Sequence, residues 1–259
     1  MKNNRRVVNF VVPFRGRFEL IERCIQSLFS QVNEDWLAHI VEDDSDWDAT
    51  DRKRLRVIVD SEPRITLYEN SERQGPLHNV YNVIVNHLKG DDTIVAQLDG
   101  DDWLLPNATG IVLDLHKVFD VTYGQFLRHA PWTAWNMKAG QCRDYPKGVL
   151  EANSFEDFPW IASHLKTFKR KNFTDIPYES FIDPRCGNFW DSAYDQAFML
   201  PILKMTDNNL IHFNPIPIYI YNMEQRKAEH VQEDKQLETE KYIREAVKLY
   251  IDQGKRFEN

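Results

Sequence analysis

LDGDDWLLP, residues 98–106, sets Asp99, Gly100, Asp101 and Asp102 between two apolar ends. The run before it, TIVAQLD (93–99), is short, apolar and rich in strand-favouring residues, and it predicts a buried strand. Three carboxylates within four positions at such a strand end repel one another, and a carboxylate buried alone is costly. Two readings are open at this point. The stretch is a solvated Asp-Gly turn that ends a strand, or its carboxylates hold a cation.

Working outward, strands and helices alternate. RVVNFVVPF (6–14), WLAHIVEDD (36–44) and RITLYEN (64–70) read as strands. Between them, FELIERCIQSLFSQ carries Ile21, Cys24, Ile25 and Leu28 at helical spacing, and TDRKRLRVIVD reads as a short helix. PLHNVYNVIVNHL opens on a proline and carries Val80, Ile84 and Leu88 on one face, and NATGIVLDLHKVF predicts a further helix. This alternation implies a mostly parallel central sheet with helices on both faces. Ligands of open parallel sheets bind beyond the carboxyl ends of the strands. Here those ends are Pro13-Phe14-Arg15, Glu42-Asp43-Asp44 and Asp99-Gly100-Asp101-Asp102. Adjacent parallel strands bring them together, which favours a site over an isolated turn.

From about 123 to 190 the chain is rich in aromatics and prolines and weak in periodicity, so long loops and short elements are expected. IPIYIYN (216–222) reads as a late strand, and KYIREAVKLYIDQ as an amphipathic helix that docks on the body. No repeat, low-complexity run or linker divides the chain. Its 259 residues suit one large or two small domains, and 42% hydrophobic with 28% charged residues is the balance of a globular protein. A net charge of −8 argues against a generally basic nucleic-acid surface, though not against a local patch. Cys24, Cys142 and Cys186 are far apart, odd in number and form no CxxC, which points to a reducing, cytoplasmic location. The N-terminal apolar run is only a strand long and ends at Pro13, so neither a signal peptide nor a membrane span is expected.

Four segments, in order, resemble the family 2 glycosyltransferases of the GT-A fold. VVPFRGRFELIERCIQSLFSQVNEDWLAHIVEDDSDWDAT resembles the family's opening strand, proline turn, helix and second strand ending in paired acids plus Ser. NSERQGPLHNVYNVI resembles its third-strand exit and Asn-bearing helix, and LDGDDWL its DxD segment. SHLKTFKR, WDSAYDQAFMLPILKM and IYIYN resemble the acceptor half of a subgroup. Two departures stand out. Glu42 and Asp44 replace the commoner Asp and Gly, and SAYDQA replaces the widespread Glu-Asp pair.

The resemblance implies an α/β chain with a single GT-A (Rossmann-like) domain over 1–259. Its nucleotide-sugar-binding half would be 1–103, a smaller acceptor-binding half 104–222, and a C-terminal helical extension 223–259. It further implies an inverting, metal-dependent transfer of a sugar from a nucleotide diphosphate donor, UDP-linked by preference, to an acceptor hydroxyl, with Mn²⁺ or Mg²⁺ as cofactor. Asp43 matches the acid that contacts uracil, Pro13, Phe14 and Arg15 the wall behind it, and Arg73 a group that reaches the diphosphate. In the same terms Asp99, beside Gly100, would face the ribose and Asp101 would hold the metal, joined by His230 from the C-terminal segment. Asp102 either supports the loop or approaches the sugar. Direct displacement needs a base for the acceptor proton. Asp195 matches that base and also suits a helix N-cap, with Asp191 the second choice. His164 and Lys166, in a basic cluster with Lys169, Arg170 and Lys171, suit an acceptor clamp or a solvated face, and His212 reads as structural.

A saccharide is the expected acceptor. A hydroxylated base of phage-type DNA or a protein side chain would use the same chemistry, and DNA would need a local basic cluster against the acidic average. A non-catalytic nucleotide-sugar-binding scaffold would keep the acids without a base. A nucleotidyltransferase shares such sheets and acids but would lack the acceptor half. Neither the sugar nor the oligomeric state is readable.

Overall fold

In the computed structural model, residues 6–130, 137–140, 142–224 and 230–252 are described. Strand β1 (Val8–Phe14) is wholly buried and lies between β2 (Trp36–Glu42) and β4 (Ile94–Gln97), parallel to both. β3 (Ile65–Glu69) extends the parallel set beyond β2. The intervening helices are α1 (Phe18–Phe29), α2 (Ala49–Asp60) and α3 (Pro76–Asn82), the last running on through one π turn to His87. Alternate residues of β1 serve opposite faces, as the pleat requires. Phe10 and Val12 pack with Ile21, Cys24, Ile25 and Leu28 of α1, while Val11 packs with Val80 and Ile84. Helices therefore cover both faces, as expected.

Beyond β4 the sheet changes direction. β8 (Lys166–Lys169) pairs antiparallel with β4 and with β6 (Val121–His129), and β11 (Ile211–Asn222) runs parallel to β6. The two-residue β5 (Trp103–Leu104) closes the edge antiparallel to β11, and β7 (Met137–Ala139) pairs with β6. The order is β3-β2-β1-β4-β8-β6-β11-β5. Helices α4 (Ala108–Leu115), α5 (Lys147–Ala152), α6 (Arg170–Thr174), α7 (Tyr194–Met205) and α8 (His230–Val247) and a small hairpin, β9 (Ile182–Asp183) with β10 (Asn188–Phe189), complete the fold.

Two sequence expectations change. The stretch from about 123, expected to be mainly loop, opens with most of a nine-residue strand, β6; Gly124 and Gln125 interrupt its apolar pattern. The late strand starts at Ile211 rather than 216, because a register shift between Asn214 and Tyr219 lets Pro215 and Pro217 sit in an irregular stretch that needs no ladder donors. The basic cluster disperses: Lys169 pairs with Asp120 and Asp92, Arg170 with Asp91, and Lys171 with Asp175. His212 stacks on Phe119 with ring centroids 4.4 Å apart. Cys24, Cys142 and Cys186 are free thiols. Among the described residues no helix is long and apolar enough to cross a membrane.

Candidate active site

Pro13, Phe14, Arg15, Asp43, Arg73, Pro76 and Asn79 line a cavity of about 400 Å³ beyond the ends of β1 and β2. Asp43 organises it. Its Oδ1 accepts the backbone N–H of Gln74 and the amide of Asn70, both at 2.8 Å, and its Oδ2 accepts the N–H of Gly75 at 2.8 Å. Burial works to raise this carboxyl's pKa, but the bonds from Gln74, Asn70 and Gly75 outweigh it and hold it below the usual range. Gly75 has φ +89°, a conformation that suits glycine. The two neighbours of Asp43 are structural. Glu42 takes the Ser45 N–H and an Arg52 guanidinium N–H, and Asp44 has φ +57°. Asp is one of the few non-glycine residues that tolerate that left-handed position. Arg73 is bonded to Asp191 at 2.7 Å, and Asp191 lines a separate cavity with Arg73, Gln74 and Gly75 rather than the cavity that holds Asp195.

The acid loop crosses directly over β1. Gly100 donates to Pro13 O, and a Cβ there would lie 2.7 Å from Phe14 Cβ, so the glycine is required by packing. Asp99 accepts at Oδ1 from the Tyr194 hydroxyl and from Gln97 Nε2. Asp102 is buried. Its Oδ1 accepts the Asn222 N–H at 2.7 Å, and its Oδ2 accepts the Tyr219 hydroxyl. Burial first, and the charges of Asp101 and Asp99 next, push the Asp102 pKa well up. Burial, then the charges of Asp102 and Asp99, raise the Tyr219 phenol, and burial with Asp99 raises that of Tyr194.

A second cavity, of about 480 Å³, is lined by Asp99, Asp101, Asp102, His164, Lys166 and Asp195 among others. Asp195 is the second residue of α7. The N-cap position belongs to Ala193, which has φ +49° and makes no side-chain cap, so Asp195 is not the cap. Its Oδ1 accepts the N–H of Gln196, and its Oδ2 lies 3.6 Å from Lys166 Nζ. His164 stacks on Tyr219 with centroids 4.5 Å apart, and its Nδ1 is 3.2 Å from Lys166 Nζ and 3.8 Å from Asp99 Oδ2. Lys166, expected to meet the acceptor, is 0% exposed and holds its ammonium between His164 and Asp195.

Ligand atoms of Asp99, Asp102 and His164 lie within 4.8 Å of one another, and Asp101 borders the same cavity. Such a carboxylate-rich set fits a hard divalent cation. Both oxygens of Asp102 already accept hydrogen bonds, as do both oxygens of Asp99, whose Oδ2 accepts from the Tyr219 hydroxyl at 3.5 Å. The side chain of His230, expected at the metal, lies outside the described residues. Sequence reading missed Tyr194, Tyr219 and Gln97, which bind the acids; IYIYN supplied Tyr219 and SAYDQA supplied Tyr194, but only the tertiary fold shows what they touch.

Residues 9–177 match the family model described as Glycosyl transferase family 2. No curated protein matches in sequence. The crystal structure of S. aureus TarS 1-349 in complex with UDP-GlcNAc is similar at a TM-score of 0.62 and 14% identity, over 93% of this chain and 66% of that one. The mannosyltransferase PcManGT from Pyrobaculum calidifontis in complex with GDP-Man and Mn²⁺ is similar at 0.58 and 17% identity, over 92% and 64%. The chain thus spans a little under two thirds of those structures, and at such identities the likeness is one of fold, the GT-A fold.

Proposed function

The chain belongs to glycosyl transferase family 2, and from that premise we propose that it is an inverting glycosyltransferase that moves a sugar from a UDP-linked donor to an acceptor hydroxyl. One observation carries the reading: Asp195 lines the same cavity as Asp99, Asp101 and Asp102, and Asp43 lines another at the ends of β1 and β2. The nucleoside occupies the Asp43 cavity, and Arg15 and Arg73 border the path toward the diphosphate. Asp99 meets the ribose, and Asp101, with Asp99 and Asp102 in reach, would hold Mn²⁺ or Mg²⁺. Such a cation offsets the charge that gathers on the diphosphate. The acceptor oxygen attacks the anomeric carbon from the face opposite the diphosphate, forming the new C–O bond as the old one breaks. Asp195 takes the acceptor's proton, and the nucleoside diphosphate leaves.

A saccharide is the acceptor this site suits. A net charge of −8, with Lys169, Arg170 and Lys171 all paired to acids, offers little for DNA phosphates. The three free thiols are consistent with a reducing cytoplasmic location. The test is a thermal-shift screen of nucleotide sugars with Mn²⁺, followed by donor turnover in the protein and in Asp195→Asn. A UDP-sugar is expected to raise the melting temperature. Asp195→Asn is expected to keep that shift and lose turnover. Binding without turnover in the wild-type protein would instead identify a nucleotide-sugar-binding scaffold.

A further inference from the structure

Lys166 is a charge placed where water does not reach it. It lies on β8 opposite Gln97 of β4, and its side chain is 1% exposed. Along β8 the pleat sends Lys166 and Phe168 to the α7 side, where Phe168 packs with Phe173 and Phe198. Thr167 points the other way, to His116 and Thr122. An ammonium buried without partners costs several kcal/mol or more. Its partners here are Asp195 Oδ2 at 3.6 Å and His164 Nδ1 at 3.2 Å. An ammonium has only donors, so a bond to His164 makes Nδ1 the acceptor and places the ring proton on Nε2. The other oxygen of Asp195 is held by the Gln196 N–H, and the Gln196 side chain is held in turn by Arg244 of α8.

We infer that Lys166 is a positioning residue for the transfer reaction, aiming the Asp195 carboxylate and the His164 ring from beneath the cavity floor. This rests on the reading of Asp195 as the base. Lys166 takes no part in bond making. It holds Oδ2 of Asp195 while the Gln196 N–H holds Oδ1, which together fix the orientation of the carboxylate. It also ties the base's side of the cavity to the acid loop, because His164 Nδ1 is 3.8 Å from Asp99 Oδ2.

The test compares Lys166→Met, Lys166→Gln, Asp195→Asn and the double variant Lys166→Met/Asp195→Asn with the wild-type chain. UDP-glucose, UDP-galactose, UDP-GlcNAc and UDP-GalNAc are screened with Mn²⁺, and the one giving the largest thermal shift is used to follow UDP release. Calorimetric binding of UDP with Mn²⁺ is read in parallel. A misplacement of about 1 Å costs on the order of 10²-fold in rate. Lys166→Met is therefore expected to lower kcat by about that factor while donor KM and UDP affinity stay within about twofold. Lys166→Gln, which keeps a donor, is expected to lose less. In the double variant the loss should equal that of Asp195→Asn alone, because a residue that acts through another adds nothing once that other is gone. The double variant also carries no unpaired buried ammonium, so it separates lost folding from lost positioning. Additive losses, or a loss of UDP affinity with kcat unchanged, would overturn the inference. If Asp195→Asn retains full turnover, the base assignment itself falls; if it loses turnover and both Lys166 variants keep theirs, only the positioning role falls.

Discussion

The hydroxyl of Tyr194 donates to Oδ1 of Asp99, so the residue beside Asp195 is tied to the first acid of the strand-end loop. Gln97 Nε2 donates to both, at 2.9 Å to the Tyr194 oxygen and 2.8 Å to Asp99. Tyr194 thus sets a neutral donor against Asp99. Tyr194→Phe is expected to lose about 1–3 kcal/mol, the range for a buried bond to a charged group. For a chain of this size that lowers Tm by about 2–4 °C per kcal/mol. Tyr194→Glu is expected to fall further, through repulsion with Asp99. Thermal denaturation checks both, and an unchanged Tm in the Phe variant would show that the bond contributes nothing net.

Gly100 and Phe14 form a second coupled pair. A Cβ at Gly100 would sit 2.7 Å from both Cβ and Cδ2 of Phe14. Phe14 is 5% exposed and packed at 5.8 Å against the Trp47 ring, so it has little room to give way. Gly100→Ala is expected to cost about 1–3 kcal/mol by overpacking. Phe14→Leu is expected to relieve part of that cost in the double variant. Urea denaturation of the four-member cycle measures the coupling, and strict additivity would remove the steric explanation.

Asp43 predicts a pH signature. Its folded pKa is held below the unfolded value of about 3.9, so its contribution is fully present above that value and is lost as pH falls through the folded pKa. Asp43→Asn removes the titration and turns an amide N–H toward donors at Gln74, Asn70 or Gly75. The variant is expected to be less stable by about 1–3 kcal/mol at neutral pH. The gap to wild type is expected to narrow below about pH 4. Denaturation midpoints at pH 7 and pH 3.5 check the sign; a gap that widens on acidification would contradict it.

The N-terminal strands of the sheet were legible because their signals are local. β1, β2, β3 and β4 are compact runs of strand-favouring residues, two of them ending in acids, and parallel alternation alone brings their ends together. The half around Asp195 was not, because there the deciding contacts are tertiary. KTFK of β8 reads as a charged surface segment, yet it is a central strand whose Lys166 is buried against α7. α7 itself carries Pro201 within an apolar run, which hides its length. The metal-capable grouping of Asp99 and Asp102 with His164 spans more than sixty positions of sequence and depends on β8 and β11 lying side by side with β6.

Lys204 and Glu156 make the last case, in which charge and packing are separable. Lys204 Nζ lies 2.8 Å from Glu156 Oε2, with side chains only 3% and 4% exposed, and also bonds Asn153 O and Asp252. This cluster ties α7 to the 150s segment and to the turn after α8, while Arg244 bonds the carbonyls of Glu156 and Phe158 from α8. Lys204→Met leaves the Glu156 carboxylate buried without its cation, so a loss of about 3–5 kcal/mol is expected. Glu156→Gln/Lys204→Met removes both charges, and replacing a buried pair by neutral groups of similar size is near neutral, so the double variant is expected to recover most of the loss. Urea midpoints of the two single variants and the double variant decide it. A double variant as unstable as Lys204→Met would mean that the ammonium's bonds to Asn153 and Asp252, rather than its pairing with Glu156, hold this end of α7 in place.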